Sequence, residues 1–337
     1  MSTDTPVVVK AYRTPLGKES GVFADTRPED LSTPLIDQIL EETGLTGEDV
    51  DDLKWGCAQQ RSEQGNNMAR VIALMSDLGE DTPATTINRW CASSAEAIIN
   101  AANAIRAGQR ECIIAGGVES MSRVPMGEND AIHPGLNEYH DISELRMGMT
   151  AETVAERYDV TRETQDEYAA QSQQRAVAAT EEGRFDDEIV PIEGHNEDGE
   201  EITVTKDEGL RPGTTAETLA ELPTVFKSDG TVTPGNASQM TDGAAALLVT
   251  SRSFAEEHGL EEIAEIGNNA VAGVEPEVMG IGPVPACRQL FERSGTGVED
   301  YDLVELNEAF ASQCVYCRDE LGFDNEIYNV NGGAIAI

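Results

Sequence analysis

Thr85-Thr86-Ile87-Asn88-Arg89-Trp90-Cys91-Ala92-Ser93-Ser94-Ala95-Glu96-Ala97-Ile98-Ile99 is the stretch that decides the fold class. The β-branched residues ahead of Asn88 read as a strand and turn, and the small, apolar run after Cys91 reads as a buried helix. That helix ends near Gly108, residues 111–115 form the next strand, and Gly116-Gly117 closes the unit as strand, helix, strand. Working outward, apolar runs bounded by turn residues at 6–11, 112–116, 244–250, 303–306 and 327–330 alternate with helical patterns, which places the chain in the α/β class. A second segment shares the plan of the first. Asn307 opens a helix to about 321, a strand follows at 326–330 and Gly332-Gly333 closes it, with the same spacing as from Cys91 to Gly116. This reads as an internal duplication; the alternative is a chance agreement of two common units whose lengths cluster.

Between about 121 and 240 the texture changes to a charged amphipathic helix at 161–183 and polar loops carrying Gly194, Gly199, Gly209, Gly213 and Gly230. The expected organisation is an inserted loop domain at 121–240, a first half made of 1–120 and 241–262, and a second half at 263–337. The chain stops in the apolar run Ala334-Ile335-Ala336-Ile337 while the first copy continues, so the second half is expected to be incomplete.

The 337 residues include 63 Asp and Glu against 23 Lys and Arg, a net charge of −40, and only five of the cations are Lys. Nucleic-acid phosphates find no basic surface here, and no long apolar span suits a membrane. So much like charge is expected to need an ion-rich cytosol, because the Debye length falls to roughly 3 Å at about 1 M salt. A halophilic, cytoplasmic protein is expected; the amino terminus lacks the basic start and apolar run of a secretory signal. Six scattered cysteines do not make a disulfide framework and read as reduced thiols.

Cys91 is the candidate nucleophile. At a helix amino terminus the unsatisfied N–H groups and the dipole favour a thiolate and lower the thiol pKa from about 8.5 by one to several units. Its alternative is a small buried hydrophobe. Asn307, at the matching place in the second copy, offers an amide that could hold a water or an oxyanion, or else an ordinary N-cap. His133, His140, His195 and His258 fall in the loop region or in the charged segment 255–262, away from any strand-to-helix turn. Cys314 and Cys317 have zinc-knuckle spacing but lie mid-helix without a second ligand pair, and they read as core; no metal site is expected.

Several motifs, taken together, resemble thiolases: Thr86-Ile87-Asn88-Arg89-Trp90-Cys91-Ala92-Ser93-Ser94, Gly116-Gly117-Val118-Glu119-Ser120-Met121-Ser122, Met147-Gly148-Met149-Thr150-Ala151-Glu152, Gly230-Thr231-Val232-Thr233-Pro234-Gly235-Asn236-Ala237-Ser238, Met279-Gly280-Ile281-Gly282-Pro283, Asn307-Glu308-Ala309-Phe310-Ala311 and Asn329-Val330-Asn331-Gly332-Gly333-Ala334. The resemblance runs from Arg13-Thr14-Pro15 to the last residue. It implies the thiolase fold, two duplicated βαβαβ halves in an αβαβα layered arrangement with an inserted loop domain, here with its second half incomplete. It also implies an acetyl-CoA C-acetyltransferase type of enzyme serving fatty-acid metabolism or the supply of polyhydroxyalkanoate or isoprenoid precursors, with acetyl-CoA or another acyl-CoA as substrate and no cofactor. A homodimer or homotetramer is implied, and an accessory subunit is possible.

By the same resemblance Cys91 carries the acyl group and Asn307 anchors a water at the thioester oxygen of the nucleophilic substrate. Ser238, Phe226 and Arg211 contact coenzyme A, Met147 and Met279 line the acyl pocket, and Phe310 is a further substrate-binding residue. The chain also departs from the family. The Gly-His-Pro segment, whose His activates the nucleophile, and a later Cys in a Gly-rich loop do not occur in these residues. Arg146 stands where many members carry His, and Pro234 replaces a small residue. Losing a positioned acid or base costs about 10²- to 10⁴-fold in rate, so impaired catalysis is expected. The alternative is a catalytically silent, thiolase-like subunit that binds coenzyme A or a partner; the Asn-Glu-Ala-Phe motif points away from decarboxylating condensing enzymes.

Overall fold

A computed structural model describes residues 4–127 and 132–337 of the chain. In chain order its elements are β1 (Pro6–Arg13), β2 (Gly17–Lys18), α1 (Pro28–Thr43), β3 (Asp52–Gly56), α2 (Met68–Met75), β4 (Ala84–Ile87), α3 (Ser93–Arg106) and β5 (Cys112–Ser120). There follow α4 (Met147–Arg157), α5 (Arg162–Glu181), β6 (Ile192–His195), β7 (Glu201–Val204), α6 (Ala216–Ala220), β8 (Thr241–Ser251), α7 (Arg252–His258), β9 (Ala264–Glu265), α8 (Pro283–Ser294) and α9 (Ala311–Leu321). They fall into two compact units.

The first unit comprises the residues up to 127 together with 185–208 and 240–267. Its sheet runs in the order β4-β3-β5-β8-β1-β9, with β3 parallel to both β4 and β5, and β8 antiparallel to β5 and β1. Successive residues of β5 serve opposite faces, as the pleat demands. Cys112 and Ile114 join a core with Leu31, Leu35, Ile36 and Ile39 of α1 and Ile72 of α2, whereas Ile113 and Ala115 join Ala97, Ala101 and Ile105 of α3. Helices therefore cover both faces, which is why β5 reads as a continuous apolar run and not an alternating one. α1 starts on Pro28, whose missing N–H is no loss at a first helical position, and stops at Gly44, whose φ of 70° costs a residue without a Cβ nothing.

The second unit comprises 132–184, 209–239 and 268–337. Its core gathers Tyr168, Ala169 and Ala170 of α5, Leu219 of α6, Ala311, Cys314 and Val315 of α9, and Tyr328 and Ile335. The helix expected at 161–183 is α5, with Thr161 as its N-cap accepting from the Thr164 N–H.

Three sequence expectations need revision. The stretch 121–240 is not one body: residues 185–208 belong to the first unit, because the backbone of Arg13 pairs with Glu188 and Val190 and its guanidinium chelates the buried Asp207 at 2.7 and 3.0 Å. The strands expected at 303–306 and 326–330 form a single parallel bridge, Val304 to Tyr328, and no ladder. Asn329, with φ 46°, spends its side chain on the N–H and C=O of Leu306 at 2.8 and 2.9 Å, occupying groups a longer ladder would use.

The third revision concerns the register of the repeat. In the first unit the strands flanking α3, β4 and β5, are not neighbours, since β3 lies between them. The segments flanking α9 pair with each other directly, as β3 and β4 do around α2. The structural counterpart of Asn307 is thus Cys57, the residue that follows β3, and not Cys91.

Candidate active site

Between β4 and α3 the chain makes a tight elbow. Trp90 sits in the left-handed region with φ 49°, a conformation a bulky residue adopts only when its surroundings impose it. The Ser93 hydroxyl imposes it from one side, accepting from the Arg89 N–H at 2.9 Å and donating to the Trp90 carbonyl at 2.5 Å. Asn88 Oδ1 accepts from the Trp90 N–H at 2.8 Å on the other. Gly56 and Gly117 make room beneath: a Cβ at either would collide with the first turn of α3, at the Ser93 and Ser94 backbone or at Ser94 Oγ. Cys91 is thereby presented at the surface as an exposed, free thiol.

The helix begins later than the sequence suggests, and this changes the electrostatics. α3 starts at Ser93 with Ala92 as its N-cap, and the N–H groups of Ala92 and Ser93 are already bonded to the carbonyls of Arg89 and Trp90. The expected lowering of the thiol pKa does not occur. Burial by the protein crowded around the sulfur pushes the Cys91 thiol up, its own backbone N–H pulls it down, and the Glu119 carboxylate adds to the rise. A thiol in this setting needs a base to activate it.

The other candidates lie in the second unit, and most are gathered around the start of α9. Phe310 packs with Met147, Ala151, Val232, Ala237 and Ala309. Phe226 meets Phe310 edge to face, centroids 6.3 Å apart, and its ring lies on the bare Cα of Gly148. The Ser238 N–H donates to the Ala309 carbonyl at 3.0 Å, and Ala237 bridges Phe310 in antiparallel fashion. Met279, 39% exposed, precedes Gly280, whose Cα lies against Gln313 of α9. Arg211 stands apart on a loop tied to Gln173 through its N–H and to Gln239 through the Gly209 carbonyl. Among the described residues its guanidinium forms no ion pair.

Asn307 is exposed and lies four residues ahead of α9, outside any helix, so it is neither the helix opener nor the N-cap expected. Its place is set by two residues that sequence reasoning passed over. Gln313 donates to the Asn307 carbonyl at 3.4 Å and accepts from the Phe310 N–H at 3.4 Å. Glu308 is buried and accepts from Tyr168, Ser172, Asn329 and the Ile335 N–H at 2.7–3.1 Å. Glu308, between Asn307 and Ala309, and Glu119, between Val118 and Ser120 at the end of β5, carry no local pattern that marks them for burial. Cys314 and Cys317 are buried on α9, as read from the sequence.

Residues 6–253 match the profile of the thiolase N-terminal domain and residues 260–337 that of the thiolase C-terminal domain. The chain belongs to the thiolase family. The 3-ketoacyl-CoA thiolase of Idiomarina loihiensis is 46% identical over 98% of this chain and 87% of its own length, and that of Marinobacter nauticus 45% identical over 98% and 86%. Among solved structures, the acetyl-CoA acetyltransferase of Bacillus anthracis aligns with a TM-score of 0.90 at 38% identity, covering 99% of this chain and 87% of the other. The human mitochondrial 3-ketoacyl-CoA thiolase aligns equally well, covering 100% and 88%. This protein is therefore an enzyme, a thiolase, with the thiolase fold that its motifs implied. No helix among the described residues of this thiolase is long and apolar enough to cross a membrane.

Proposed function

We propose that this thiolase moves acyl groups between coenzyme A and the Cys91 sulfur, joining acyl-CoA and acetyl-CoA into 3-ketoacyl-CoA and cleaving it in reverse. The Cys91 thiolate attacks the thioester carbonyl, the tetrahedral adduct expels the coenzyme A thiolate, and the acyl group stays on sulfur as a thioester. A second acetyl-CoA gives up a methyl proton, which ends on the expelled coenzyme A thiolate to leave the free thiol, and its carbanion attacks that carbonyl. The new carbon–carbon bond forms as the bond to Cys91 breaks, and the thiolate is regenerated. One thioester replaces another, so the first half of the cycle is nearly thermoneutral. The Asn307 amide would anchor a water at the thioester oxygen where enolate charge develops. Ser238, Phe226 and Arg211 would face coenzyme A, and Met147, Met279 and Phe310 the acyl chain.

The observation that carries this reading is the exposed thiol on a strained elbow in a chain of this family. The names of its relatives support 3-ketoacyl-CoA as the substrate class. Mass spectrometry after incubation with acetyl-CoA tests it: a gain of one acetyl group on Cys91 is expected, absent in Cys91→Ser. An acetyl gain that persists in Cys91→Ser would remove Cys91 from the mechanism.

The 337-residue polypeptide is further proposed to acylate slowly. Its thiol is pushed up by the protein packed around it and by the Glu119 carboxylate, which keeps the thiolate scarce at neutral pH. The same raised thiol favours a second reading, a silent subunit that binds coenzyme A or a partner; turnover by the purified chain alone would reject it. A homodimer or homotetramer working in a salt-rich cytoplasm completes the proposal.

A further inference from the structure

Beneath the Cys91 elbow the first unit holds a carboxylate for which the proposed chemistry has no use. Glu119, half-buried at the end of β5, accepts from the backbone N–H groups of Ala58 and Gln59 at 2.8 and 3.1 Å and from Gln64 Nε2 at 2.6 Å. Gln64 is fully buried; it also donates to the Gln59 carbonyl at 3.0 Å and accepts from the Ser120 N–H at 2.7 Å. The turn after β3 is thus pinned to β5 by one carboxylate and one amide.

That turn in turn holds the elbow. The Ala58 carbonyl accepts from Asn88 Nδ2 at 2.8 Å, and Asn88 Oδ1 accepts from the Trp90 N–H at 2.8 Å. Trp90, in the left-handed region, directly precedes Cys91. An unbroken chain of bonds therefore runs from a carboxylate through one peptide and one side-chain amide to the strained residue beside the sulfur. Strain of about 1–3 kcal/mol persists at such a residue only where neighbours over-determine it.

We propose that Glu119 is a positioning residue for Cys91, locking the elbow through the Ala58 peptide and Asn88. The inference rests on Cys91 being the nucleophile only for its consequence, not for its geometry. The titratable groups that face Glu119 are the Cys57 thiol at the end of β3, whose Sγ lies 3.9 Å away, and Cys91 itself; the elbow also carries the Arg89–Glu96 ion pair at 2.8 Å. Burial raises Glu119 above the ordinary carboxylate range, and the amides of Ala58, Gln64 and Gln59 pull it back, as expected of a group held for its hydrogen bonds.

The test uses the whole chain with Glu119→Gln, Asn88→Ala and the double variant. Asn88 is at the surface, so its truncation leaves the core intact should Glu119→Gln fold poorly. Two readouts are taken on protein with wild-type circular dichroism. Time-resolved fluorescence anisotropy reports on the exposed Trp90 against Trp55, which is fully buried. Acetylation of Cys91 by acetyl-CoA reports on function. Each single variant is expected to enlarge the fast anisotropy decay and slow acetylation at least about 10-fold, since a displacement near 1 Å can cost about 10². The double variant should be no worse than the more affected single one. If Glu119→Gln leaves the anisotropy of wild type while Asn88→Ala changes it, or if the two effects add, the proposal is overturned. Absence of acetylation in wild type would instead refute Cys91 as nucleophile, and the anisotropy would still decide the role of Glu119.

Discussion

Replacing Glu308 with Gln perturbs the second unit at a point where the cost can be worked out atom by atom. Oε1 of Glu308 accepts from the Tyr168 hydroxyl at 2.8 Å and Asn329 Nδ2 at 3.0 Å, and Oε2 from Ser172 Oγ at 2.7 Å and the Ile335 N–H at 3.1 Å. Glutamine has the same shape but only one acceptor oxygen. With that oxygen facing Tyr168 and Asn329, its NH₂ meets Ser172, which can rotate to accept, and the Ile335 N–H, which cannot. In the other orientation Tyr168 can rotate, but two NH₂ groups confront each other at Asn329. Either way one buried donor is stranded, at about 1–3 kcal/mol, and hydrogen bonds to a charged acceptor are exchanged for weaker ones. Removing the buried charge returns part of the desolvation cost. Nor can the side chain retreat, because the Gly333 Cα already lies against the carboxylate. The expected net loss is about 2 kcal/mol, roughly a 30-fold shift in the unfolding equilibrium. Urea titration followed by circular dichroism measures it, with the midpoint falling and the slope unchanged. A midpoint equal to or above that of wild type would mean that burying the charge costs more than its four bonds return, and that the carboxylate does not organise this segment.

Three further outcomes follow from the geometry. Gly117→Ala should slow Cys91 acetylation about 10²-fold and cost about 1–3 kcal/mol, because the new methyl meets the Gly56 carbonyl, which cannot yield, as well as Ser94 Oγ; thermal melts and acetylation rates in parallel check it. Alkylation of Cys91 by iodoacetamide should still be rising above pH 8.5, the ordinary thiol range being about 8.5, since the raised thiol delays the thiolate to higher pH; a plateau reached by pH 7 would contradict the assigned cause. Cys57, buried and pushed far higher, should alkylate only after unfolding. Raising KCl from 0.1 to 2 M should raise the melting temperature: even if all 23 cations paired, 40 carboxylates would remain, and screening them outweighs the loss of exposed ion pairs such as Arg252 with Glu262. A melting temperature that is flat or falls with KCl would refute the expectation that this acidic chain needs salt.

The sequence was legible where one interaction dominates. The apolar run of β5 is buried on two faces, β1 starts and β8 ends in fully buried runs, and α5 announced itself by its Thr161 cap and its length. It misled where a side chain competes with the backbone. Asn329 took the bonds of Leu306 that a second ladder would use, and the Trp90 carbonyl took the Ser93 N–H that a thiolate would use. Residue types cannot reveal which partner wins such a contest. The cluster of Met147, Phe226, Ser238 and Phe310 was available only through family motifs, because the segments that bring it together are far apart in the chain and carry no shared period.

The corrected register gives the duplication a physical meaning that the matched spacing lacked. Cys57 follows the strand β3, which pairs in parallel with β4, and Asn307 follows the segment whose Val304 makes a parallel bridge with Tyr328. In one copy the position is buried beneath the Cys91 elbow, clamped by Gln64 at 3.3 Å, with its thiol pushed out of any working range. In the other it is exposed and carries an amide. Each segment is held by a buried or half-buried carboxylate that accepts from neutral donors, Glu119 from another strand in the first and Glu308 from the segment itself in the second. Neither arrangement needs a cation, which matters in a chain with so few. The same position thus gives structural support in the first segment and presents a polar group to solvent in the second. Exchanging the two, Cys57→Asn with Asn307→Cys, should abolish folding of the first unit before it affects the second, because only the first asks the residue to be dry.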